Sequence, residues 1–536
     1  MKKKLLPLAI LAGLAGAAGT AQAAYLSADG TGQALLFPYY TVDGGNFTNI
    51  NIVNTTNEVK ALKVRFLEGE NSQEVLDFNL YLSAYDHWAG GISMSSNVDD
   101  VARPDGAPAS DPNFGIGDGE SPGKIAVLAA GANPADPQGE TSCTAPEIGA
   151  DGVDFVNYAY AWTDTGQATT DGNRSMARTH EGYVEVIEMG VLGVENADGT
   201  VTESGTNTFG AAGWATHSAG VPANCDGLRN AWKSSGEWGV GGTGASRNIV
   251  PPTGGLYGYA SIIDVMEGTS ASYDAVAIGG FTSTAVNTDT GSVNPSMLNA
   301  DEFSDVFYDD GSGIAVVSDS FSGNSADAVS SLFMRDTLSN DYVLDSGIAA
   351  ETDWVITMPT KRFYSSETTL AARAPFSAMW DGDKACEHIN VTYWDRDEGT
   401  PTPEQIEEQL DFSPLPPQLE DIPDGFNLCT EVSIMTFNGS SVLDSSDRLT
   451  YNLNLADGFV DGWASIDLSN AVPPGGNAAE YNARQVVGDN NTYIGLPVTG
   501  FAIQKYQNGK LEVDGEGILS NYAGAVEHKY SRQISN

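Results

Sequence analysis

The chain has 536 residues, with 71 acidic and 25 basic side chains and a formal net charge of −46 at pH 7. A nucleic-acid-binding protein neutralises phosphates with clustered Lys and Arg, and because this chain has no such cluster, the composition excludes nucleic acid as a partner. An acidic excess of this size is typical of a secreted protein, in which the charge maintains solubility. Cation binding is the alternative interpretation of the same excess.

The first 23 residues have the pattern of a secretory signal peptide. Three lysines at positions 2–4 precede an apolar run at 5–18, and Ala-Gln-Ala at 21–23 supplies the small-x-small cleavage pattern. A membrane helix needs about 20 apolar residues, and neither this run nor a later one reaches that length. We therefore expect a mature chain from Ala24 onward without a transmembrane segment. Its expected location in a Gram-negative type of cell is the cell surface or the extracellular space, with the periplasm as the alternative.

Alternating side chains predict β-strands in the first part of the mature chain. Residues 62–67 alternate between apolar and polar side chains, and so do residues 76–82, with a turn around Gly69 between the two runs. This pattern predicts a hairpin of two half-buried strands. The runs at 34–40 and 47–53 are typical of two more strands. An Asn-Gly pair at 508–509 predicts the two-residue turn of a later hairpin. We therefore expect a four-stranded antiparallel unit at the start of the mature chain.

Turn-forming residues, among them 61 glycines, recur between short apolar runs in the rest of the chain, which is typical of β-sandwiches. Further strands are predicted at 182–189, 257–266, 275–281, 313–317 and 354–358. One short helix is predicted at 326–338, begun by Ser325 or Asp327. Residues 97–123 and 399–424 are predicted loops. The predicted fold class is all-β, with antiparallel β-sandwich-like domains, long Gly/Asp/Pro loops and one short helix.

The length of the chain predicts two domains, because a single hydrophobic core stops growing at about 250 to 300 residues. Pro-Pro-Thr-Gly-Gly at 251–255 interrupts the strand pattern and suggests a soft boundary. The predicted organisation is a signal peptide at 1–23, an N-terminal β-rich domain at 24–250 and a C-terminal β-rich domain at 251–536. Exchange of strands between the halves would move this boundary.

Four cysteines, Cys143, Cys225, Cys386 and Cys429, fit an exported protein with two disulfides. Three pairings are open. We prefer Cys143 with Cys225 and Cys386 with Cys429, because each pair then lies within one half of the chain. Zinc is the rival interpretation, but no two of the cysteines lie within four residues of each other, as they do in structural zinc sites.

Acid-rich loops at 111–120, 301–310 and 381–383 offer oxygen ligands of the kind that Ca²⁺ prefers. None of them matches an EF-hand loop or a glycine-aspartate nonapeptide repeat. The alternative is that these loops are solvated acidic turns. The sequence therefore requires no cofactor and leaves Ca²⁺ as a candidate ligand.

No catalytic or cofactor motif stands out. The glycine-rich stretch at 239–244 has the spacing of a dinucleotide-binding fingerprint, but it lacks the flanking strand and helix that such a site needs. The five histidines do not pair at metal-ligand spacing. A Ser-His-Asp triad assembled in space remains open, because triads are defined by geometry and not by sequence order.

These observations favour a non-enzymatic function. The first hypothesis is a secreted or cell-surface structural protein, and one version of it is a self-assembling extracellular subunit. Its partners would be further copies of the chain or other cell-surface components. The alternative is an extracellular glycan- or calcium-binding adhesion module, and the third hypothesis is a secreted hydrolase. A deep polar pocket with converging carboxylates, histidine or serine would favour the hydrolase, whereas a smooth β surface with unpaired edge strands would favour assembly.

Five segments resemble those of a group of exported proteobacterial proteins with no assigned activity. They are GQALLFPYYT at 32–41, VRFLEG at 64–69, PTGGL at 252–256, DWVITMPTKRFY at 353–364 and GLPV at 495–498. The segments span nearly the whole mature chain. The resemblance implies export, and it implies no ligand, cofactor or catalytic residue.

Overall fold

The computed structural model describes most of the chain. The described residues are 22–96, 121–127, 139–161, 171–192, 194–195, 201–202, 211–233, 236, 249–286, 288, 292–309, 311–366, 372–401, 426–473, 476–507, 511–513, 516–518 and 520–536. Within these ranges the chain forms antiparallel sheets with few short helices, so the predicted all-β, sandwich-like class is confirmed. None of the helices found there is long and apolar enough to cross a membrane.

The elements are short and numerous. The first group of strands is β1 (Tyr25–Leu26), β2 (Ala34–Thr41), β3 (Asn46–Asn54), β4 (Lys60–Glu68), β5 (Glu74–Leu82), β6 (His87–Met94), β7 (Gly123–Val127), β8 (Cys143–Ala145), β9 (Val153–Asp154), β10 (Glu181–Leu192), β11 (Val194–Glu195), β12 (Val201–Thr202), β13 (His217–Ser218), β14 (Val221–Pro222), β15 (Ile249–Val250), β16 (Leu256–Asp264), β17 (Thr269–Asp274) and β18 (Val276–Gly279). The second group is β19 (Phe303–Asp309), β20 (Ile314–Ser320), β21 (Met334–Arg335), β22 (Thr337–Val343), β23 (Glu351–Thr357), β24 (Glu387–Asp395), β25 (Phe426–Leu428), β26 (Val432–Phe437), β27 (Thr450–Leu453), β28 (Asp461–Asp467), β29 (Gln485–Val487), β30 (Thr492–Ile494), β31 (Leu496–Pro497), β32 (Thr499–Gln507), β33 (Leu511–Val513), β34 (Glu516–Ile518), β35 (Asn521–Glu527), β36 (Lys529–Ser531) and β37 (Gln533–Ser535). The α-helices are α1 (Tyr158–Ala161), α2 (Ala211–Ala215), α3 (Cys225–Ala231), α4 (Ser325–Phe333) and α5 (Arg362–Ser365), and 3₁₀ turns lie at Asp43–Gly45, Met176–His180, Met297–Asn299, Ser346–Ile348 and Ala478–Glu480.

The N-terminal sandwich consists of an eight-stranded and a six-stranded sheet. The larger sheet has the order β1-β18-β2-β10-β4-β5-β8, with β15 added to β10, and the smaller sheet has the order β17-β16-β3-β6-β7-β9. Apolar side chains on their facing sides, among them Phe66, Phe78 and Trp88, are fully buried. The rings of Phe78 and Trp88 lie 5.6 Å apart, so the two sheets meet in direct aromatic contact.

The C-terminal sandwich consists of two five-stranded sheets. Their orders are β25-β24-β28-β22-β36 and β27-β26-β23-β32-β35. Every neighbour pair is antiparallel except β26 with β27, which is parallel. Trp354 is fully buried between the sheets, with its ring 5.5 Å from that of Phe437. Burial of a side chain of this size contributes about 1.5–3 kcal/mol to the stability of the core.

The start of the mature chain differs from the predicted four-stranded unit. β4 and β5 form the predicted hairpin, with Val64 opposite Phe78. β2 and β3, however, belong to opposite sheets of the sandwich. The 3₁₀ turn Asp43–Gly45 carries the chain across, and Thr48 Oγ1 donates a hydrogen bond to the Thr41 carbonyl (2.8 Å) at this crossing. The prediction of one continuous unit was therefore wrong.

The division between the sandwiches follows β18. The strands β16 and β18 come after the predicted boundary at 250–251, yet β16 pairs with β3 and β18 pairs with β2. Gly254 and Gly255 both have positive φ angles, and the Gly254 N–H donates to Glu188 Oε2 (2.8 Å). The Pro-Gly stretch is therefore a tight turn inside the N-terminal sandwich and not a linker, so the predicted boundary does not coincide with the division of the sheets.

Two smaller predictions also needed correction. α4 ends at Phe333 and not at 338, because Met334 begins the strand β21, which pairs with β31. The helix is capped by Asn324, whose side chain accepts from the Asp327 N–H, and not by Ser325 or Asp327. The Asn-Gly pair at 508–509 lies outside the described residues. The hairpin predicted around it was wrong, since β33 pairs with β34 while β32 pairs with β23 and β35.

The two sandwiches meet in a buried junction. Every residue of β2, β4 and β10 is buried, because both faces of the large N-terminal sheet are covered. β23 and β32 pack on β2, and Thr357 Oγ1 donates to the Pro38 carbonyl (2.6 Å). The ring of Tyr273 stacks on that of Phe501 at 4.5 Å. The prediction that β4 is half-buried was therefore wrong.

Charged side chains on the covered face of β4 are paired. Lys63 Nζ lies 2.7 Å from Asp77 Oδ1, while Arg65 lies 2.7 Å from Glu74 and 2.5 Å from Glu185. Burial raises the pKa of Glu74 to about 7, although the charge of Arg65 opposes this shift. Removing one partner of such a pair leaves an uncompensated buried charge, so these contacts stabilise the pairing of β4 with β5 and β10 within the large N-terminal sheet.

Two disulfides brace the fold. Cys143 is bonded to Cys225, 82 residues away, and Cys386 to Cys429, 43 residues away. This is the pairing preferred from the sequence, and it leaves no free cysteine. Each bridge joins segments that belong to the same half of the chain.

We expect the double variant Cys386→Ala/Cys429→Ala to fold and to unfold at a lower temperature than the wild type. In the chain-entropy model a loop of this length contributes roughly 4 kcal/mol to stability. Lys361 Nζ, which donates to the Ala385 carbonyl (2.6 Å) beside the bridge, continues to tie the loop. Thermal unfolding without reductant measures the effect, with Cys143→Ala/Cys225→Ala as the matched control. Unchanged melting in both double variants would contradict this account of the bridges.

Candidate functional site

A shallow pocket of about 290 Å³ lies beside the Cys143–Cys225 bridge. Most polar side chains that line it form hydrogen bonds or ion pairs within the protein. Arg229 Nη1 is 3.2 Å from Glu147, and the oxygens of Glu140 accept backbone hydrogen bonds from Ala89 of β6 and from Ser142. Burial raises the pKa of Glu140. Because these groups bond to one another or to the backbone, they do not converge on a common point where a substrate atom would sit.

One histidine at this rim approaches two hydroxyl groups. His217 Nε2 lies 3.2 Å from Thr141 Oγ1, and its Nδ1 lies 3.1 Å from Ser83 Oγ and 3.6 Å from Asp86 Oδ2. Thr141 Oγ1, however, donates to the Gly220 carbonyl (2.9 Å). Its proton therefore points away from the histidine, which a nucleophile activated by a general base does not allow. The contacts fasten the β13–β14 ribbon to the end of β5.

Two further histidines have structural partners. His180 Nδ1 lies 2.8 Å from Asp43 Oδ1 and its Nε2 lies 2.7 Å from the Ser121 carbonyl. Burial lowers the pKa of His180, but these two hydrogen bonds outweigh it and the pKa is raised. His528 Nε2 bonds to the Val355 carbonyl (2.9 Å), and burial lowers the pKa of His528 to about 4. Both rings are held inside the fold and face no cleft.

The acid-rich loops use their carboxylates to shape turns. Asp381 Oδ1 accepts the N–H groups of Asp383 and Lys384, both at 2.9 Å, and the pKa of Asp381 is lowered by these bonds. In the part of the chain that the structure describes, no group of three or more His, Cys, Asp or Glu side chains is placed to hold a metal ion. The loop at 111–120 lies outside that part, as does Asp310, so the Ca²⁺ site stays a prediction.

The open edge of the ribbon β19–β20 is the candidate functional site. β20 pairs with β19 alone, with Val316 opposite Phe307. The base of β20 is tied by the Asp489 N–H, which donates to the Ser320 carbonyl (3.0 Å). From Ile314 to Ser318 the outward N–H and C=O groups have no hydrogen-bond partner among the described residues. This is a row of free backbone donors and acceptors.

The ribbon also exposes apolar side chains on one face. Phe303 is 40% exposed, Phe307 43%, Val316 44% and Ile314 82%. On the opposite face Ser304, Val306 and Asp319 are buried against the protein, and Val317 is half-buried. Natural edge strands are usually blunted by Lys, Pro or a bulge, and β20, with the sequence IAVVSDS, has none of these. A long, apolar and unprotected edge strand is a template for pairing with another chain.

The ribbon is held rigidly at its base. The Asp319 carboxylate accepts the N–H groups of Asn490 (3.0 Å) and Asn491 (2.9 Å). Ser304 Oγ lies 2.6 Å from Ser331 Oγ of α4, which ties β19 to the helix. A strand fixed at its base in this way presents its edge with little entropy left to lose on pairing.

The sequence predicted part of this site. The run at 313–317 was predicted as a strand, and it is β20. The partner strand β19 was missed, although its residues alternate as FSDVFYD and a Gly-Ser-Gly turn follows at 311–313. This alternation is the signal that would have found the ribbon, but only the tertiary structure shows that its apolar face is uncovered.

Comparison with protein-family models, curated proteins and solved structures finds no match to this chain.

Proposed function

We propose that the chain is a non-enzymatic structural protein, exported to the cell surface or the extracellular space, and that two copies join through the edge of β20. The observation that carries this proposal is an unpaired strand edge at 314–318 without a charged side chain. Such an edge can be completed by strand addition, in which main-chain hydrogen bonds supply the affinity.

A second copy of the chain is the partner that best fits this edge. At a net charge of −46, two copies repel wherever their acids approach within the Debye length of about 8 Å. The segment 314–318 carries no acid, and the nearby Asp305 and Asp309 lie on β19, away from the open edge, so two copies can pair along this edge without placing carboxylates directly opposite each other. Their contact would also cover Ile314 and Val316, which are exposed.

The pairing is antiparallel. A parallel, in-register pair would place the Asp319 carboxylates of the two copies opposite each other, and like charges directly opposite are destabilising. An antiparallel pair centred on Val316 places Ile314 opposite Ser318 and keeps the two bodies at opposite ends of a four-stranded ribbon. An interface that uses the same patch on both copies is closed, so the product is a dimer.

We expect the wild-type protein to sediment as a dimer and the variant Val316→Lys to sediment as a monomer. A lysine on an edge strand blocks pairing, and Val316 is exposed enough to accept the change without loss of the fold. Val265→Lys is the matched control. Val265 is 73% exposed in the turn between β16 and β17, and its substitution changes the net charge by the same amount. A monomeric wild type, or a Val316→Lys protein that remains dimeric, would refute the proposal.

Export is supported by the signal-peptide pattern at 1–23 and by two disulfides, which persist in oxidising compartments. We expect the native protein to be recovered outside the inner membrane with an intact mass that lacks residues 1–23. Fractionation followed by mass spectrometry of the unreduced protein measures both points. A mass that retains residues 1–23, or a cytoplasmic protein with free thiols, would contradict export.

The two other hypotheses have less support. A hydrolase needs an activated nucleophile, and the hydroxyl proton of Thr141 is directed to Gly220 and away from His217. A calcium-dependent adhesion module needs a site for the ion, and among the described residues no group of three or more His, Cys, Asp or Glu side chains is placed to form one.

A further inference from the structure

A stacked pair of tryptophans stands on the outer face of the C-terminal sandwich. Trp394 of β24 lies directly opposite Trp463 of β28, with ring centroids 4.0 Å apart and planes 12° apart. Trp463 is 45% exposed, whereas Trp88, Trp232 and Trp354 are fully buried. Within the described residues neither indole N–H of the pair has a hydrogen-bond partner. The pair therefore contributes little to the core and leaves both aromatic surface and donors open to a ligand.

Polar side chains form a second row beside this pair. Thr392, Ser465 and Ser339 lie side by side on three neighbouring strands, two residues along from the tryptophans, which is a separation of about 6.6 Å. Ser339 Oγ donates to Ser465 Oγ (3.0 Å) and Thr392 is exposed. A flat row of hydroxyls at this distance from an aromatic surface can bond to the hydroxyl groups of a ligand that rests on the rings.

The charges at the rim are mainly acidic. Asp341 lies opposite Trp463 on the other side of β28 and is exposed. Two bases lie near the site: Arg396 is paired with Asp461 at 2.7 Å, so its charge is compensated, and Lys529 lies opposite Ser339, at the end of the hydroxyl row away from the tryptophans. Carboxylates accept hydrogen bonds from hydroxyl groups and repel anions. This rim therefore favours a neutral, hydroxyl-rich ligand over an acidic one.

We propose that this face binds a neutral, β-linked polysaccharide, with one pyranose ring stacked on the indole face of Trp463 that Trp394 does not cover, and with neighbouring hydroxyls bonded to the serine and threonine row and to Asp341. A pyranose with equatorial hydroxyls has an apolar face of C–H groups that fits an aromatic ring, and an equatorial β-linkage leaves that face accessible within a polymer. The site lies on a different sheet from the β20 edge, and it stands whether or not two copies of the chain pair.

Affinity electrophoresis in native gels that contain laminarin or hydroxyethylcellulose tests the proposal. We expect retardation of the wild-type protein by at least one of these neutral β-glucans and none by alginate or heparin, which are acidic. Trp463→Ala is expected to weaken the interaction at least tenfold, and Trp463→Phe is expected to restore part of it. Tyr522→Ala is the matched control, since Tyr522 is 56% exposed on β35 of the other sheet, and it should bind as the wild type does.

The outcomes are decisive in both directions. Absence of retardation in both neutral gels would overturn the proposal, as would equal retardation of the wild type and Trp463→Ala. Retardation by the acidic polymers alone would also overturn it. Thermal unfolding of each variant shows that it is folded, and quenching of the tryptophan fluorescence by added laminarin oligosaccharides reports on the pair directly.

Discussion

Replacing Arg178 with Met is expected to destabilise the protein by about 3–5 kcal/mol, the cost of breaking a buried ion pair from one side. Arg178 Nε lies 2.7 Å from Glu68 Oε2, and its Nη1 lies 2.8 Å from Asp171 Oδ1. The guanidinium also lies over the ring of Tyr160, 4.3 Å from its centroid. Methionine fills most of the volume but leaves Glu68 and Asp171 as buried charges without their partner.

The effect is large because Glu68 holds the turn between β4 and β5, and this turn contacts the C-terminal sandwich. Its carboxylate accepts the N–H groups of Glu70 (2.7 Å) and Gln73 (2.7 Å), and the adjacent Gly69 carbonyl accepts from the Val432 N–H (2.9 Å). Loss of Arg178 therefore loosens the contact between the sandwiches as well as the turn.

Urea unfolding of Arg178→Met and Arg396→Met measures the difference. The Arg396 side chain is 70% exposed and pairs with Asp461 at 2.7 Å, and an exposed pair of this kind contributes less than about 1 kcal/mol. Equal losses in the two variants would show that the buried cluster does not hold the junction.

The second large effect is a fall in stability as the pH rises from about 6.5 to 8. Burial raises the pKa of Glu181 to about 8, and the nearby Asp43 adds to the shift. Between its ordinary pKa of 4.5 and this value, the folded chain keeps a proton that the unfolded chain has lost. The stabilisation is fully present below pH 4.5 and is lost as the pH rises through 8, at about 1.4 kcal/mol per pH unit for each such proton.

Other buried titratable groups determine why the fall in stability is expected between about pH 6.5 and 8. Burial raises the pKa of Asp353 to about 7 and of Glu431 to about 8, so both act in the same direction as Glu181. His528, whose pKa burial lowers to about 4, acts in the opposite direction only below its ordinary value of 6.5. Burial lowers the pKa of Lys361 to about 8, and it acts in the opposite direction only above that value. The acids therefore dominate between pH 6.5 and 8.

Glu181→Gln tests the assignment to one residue. The amide keeps an oxygen that can accept from the Ser446 N–H (2.7 Å in the wild type) and cannot lose a proton. We expect the slope of unfolding free energy against pH to become shallower by about 1.4 kcal/mol per unit. Asp381→Asn is the control, because its lowered pKa keeps Asp381 ionised throughout this range, so the slope should stay as in the wild type. An unaltered slope in Glu181→Gln would assign the proton elsewhere.

Local patterns in the sequence predicted much of the fold. The predicted strand at 182–189 lies within β10, and the two alternating runs at 62–67 and 76–82 form the predicted hairpin of β4 and β5. The cysteine pairing followed from sequence separation alone. These features depend on residues that are close in the chain or on simple periodicity, which a single sequence displays.

The burial of Lys63 and Arg65 could not be predicted in this way. Both alternate with apolar residues, which is typical of a solvent-facing side, yet they are almost completely buried because both faces of β4 are covered by other parts of the chain. Their partners Asp77 and Glu185 became recognisable only from the strand pairing. The same limit applies to the exposed edge of β20, since exposure is a property of what the rest of the chain leaves uncovered.

Oxidative cross-linking of the single variant Val316→Cys tests most directly the claim that two copies join at β20. All four native cysteines are bonded, so the new thiol is the only one available. Across an antiparallel pair centred on residue 316, the two Cβ atoms lie about 4.5–5.5 Å apart, close to disulfide distance. The account predicts a cross-linked dimer on a non-reducing gel for Val316→Cys and a monomer for Val265→Cys. A monomer in both variants, or equal dimer in both, would contradict it.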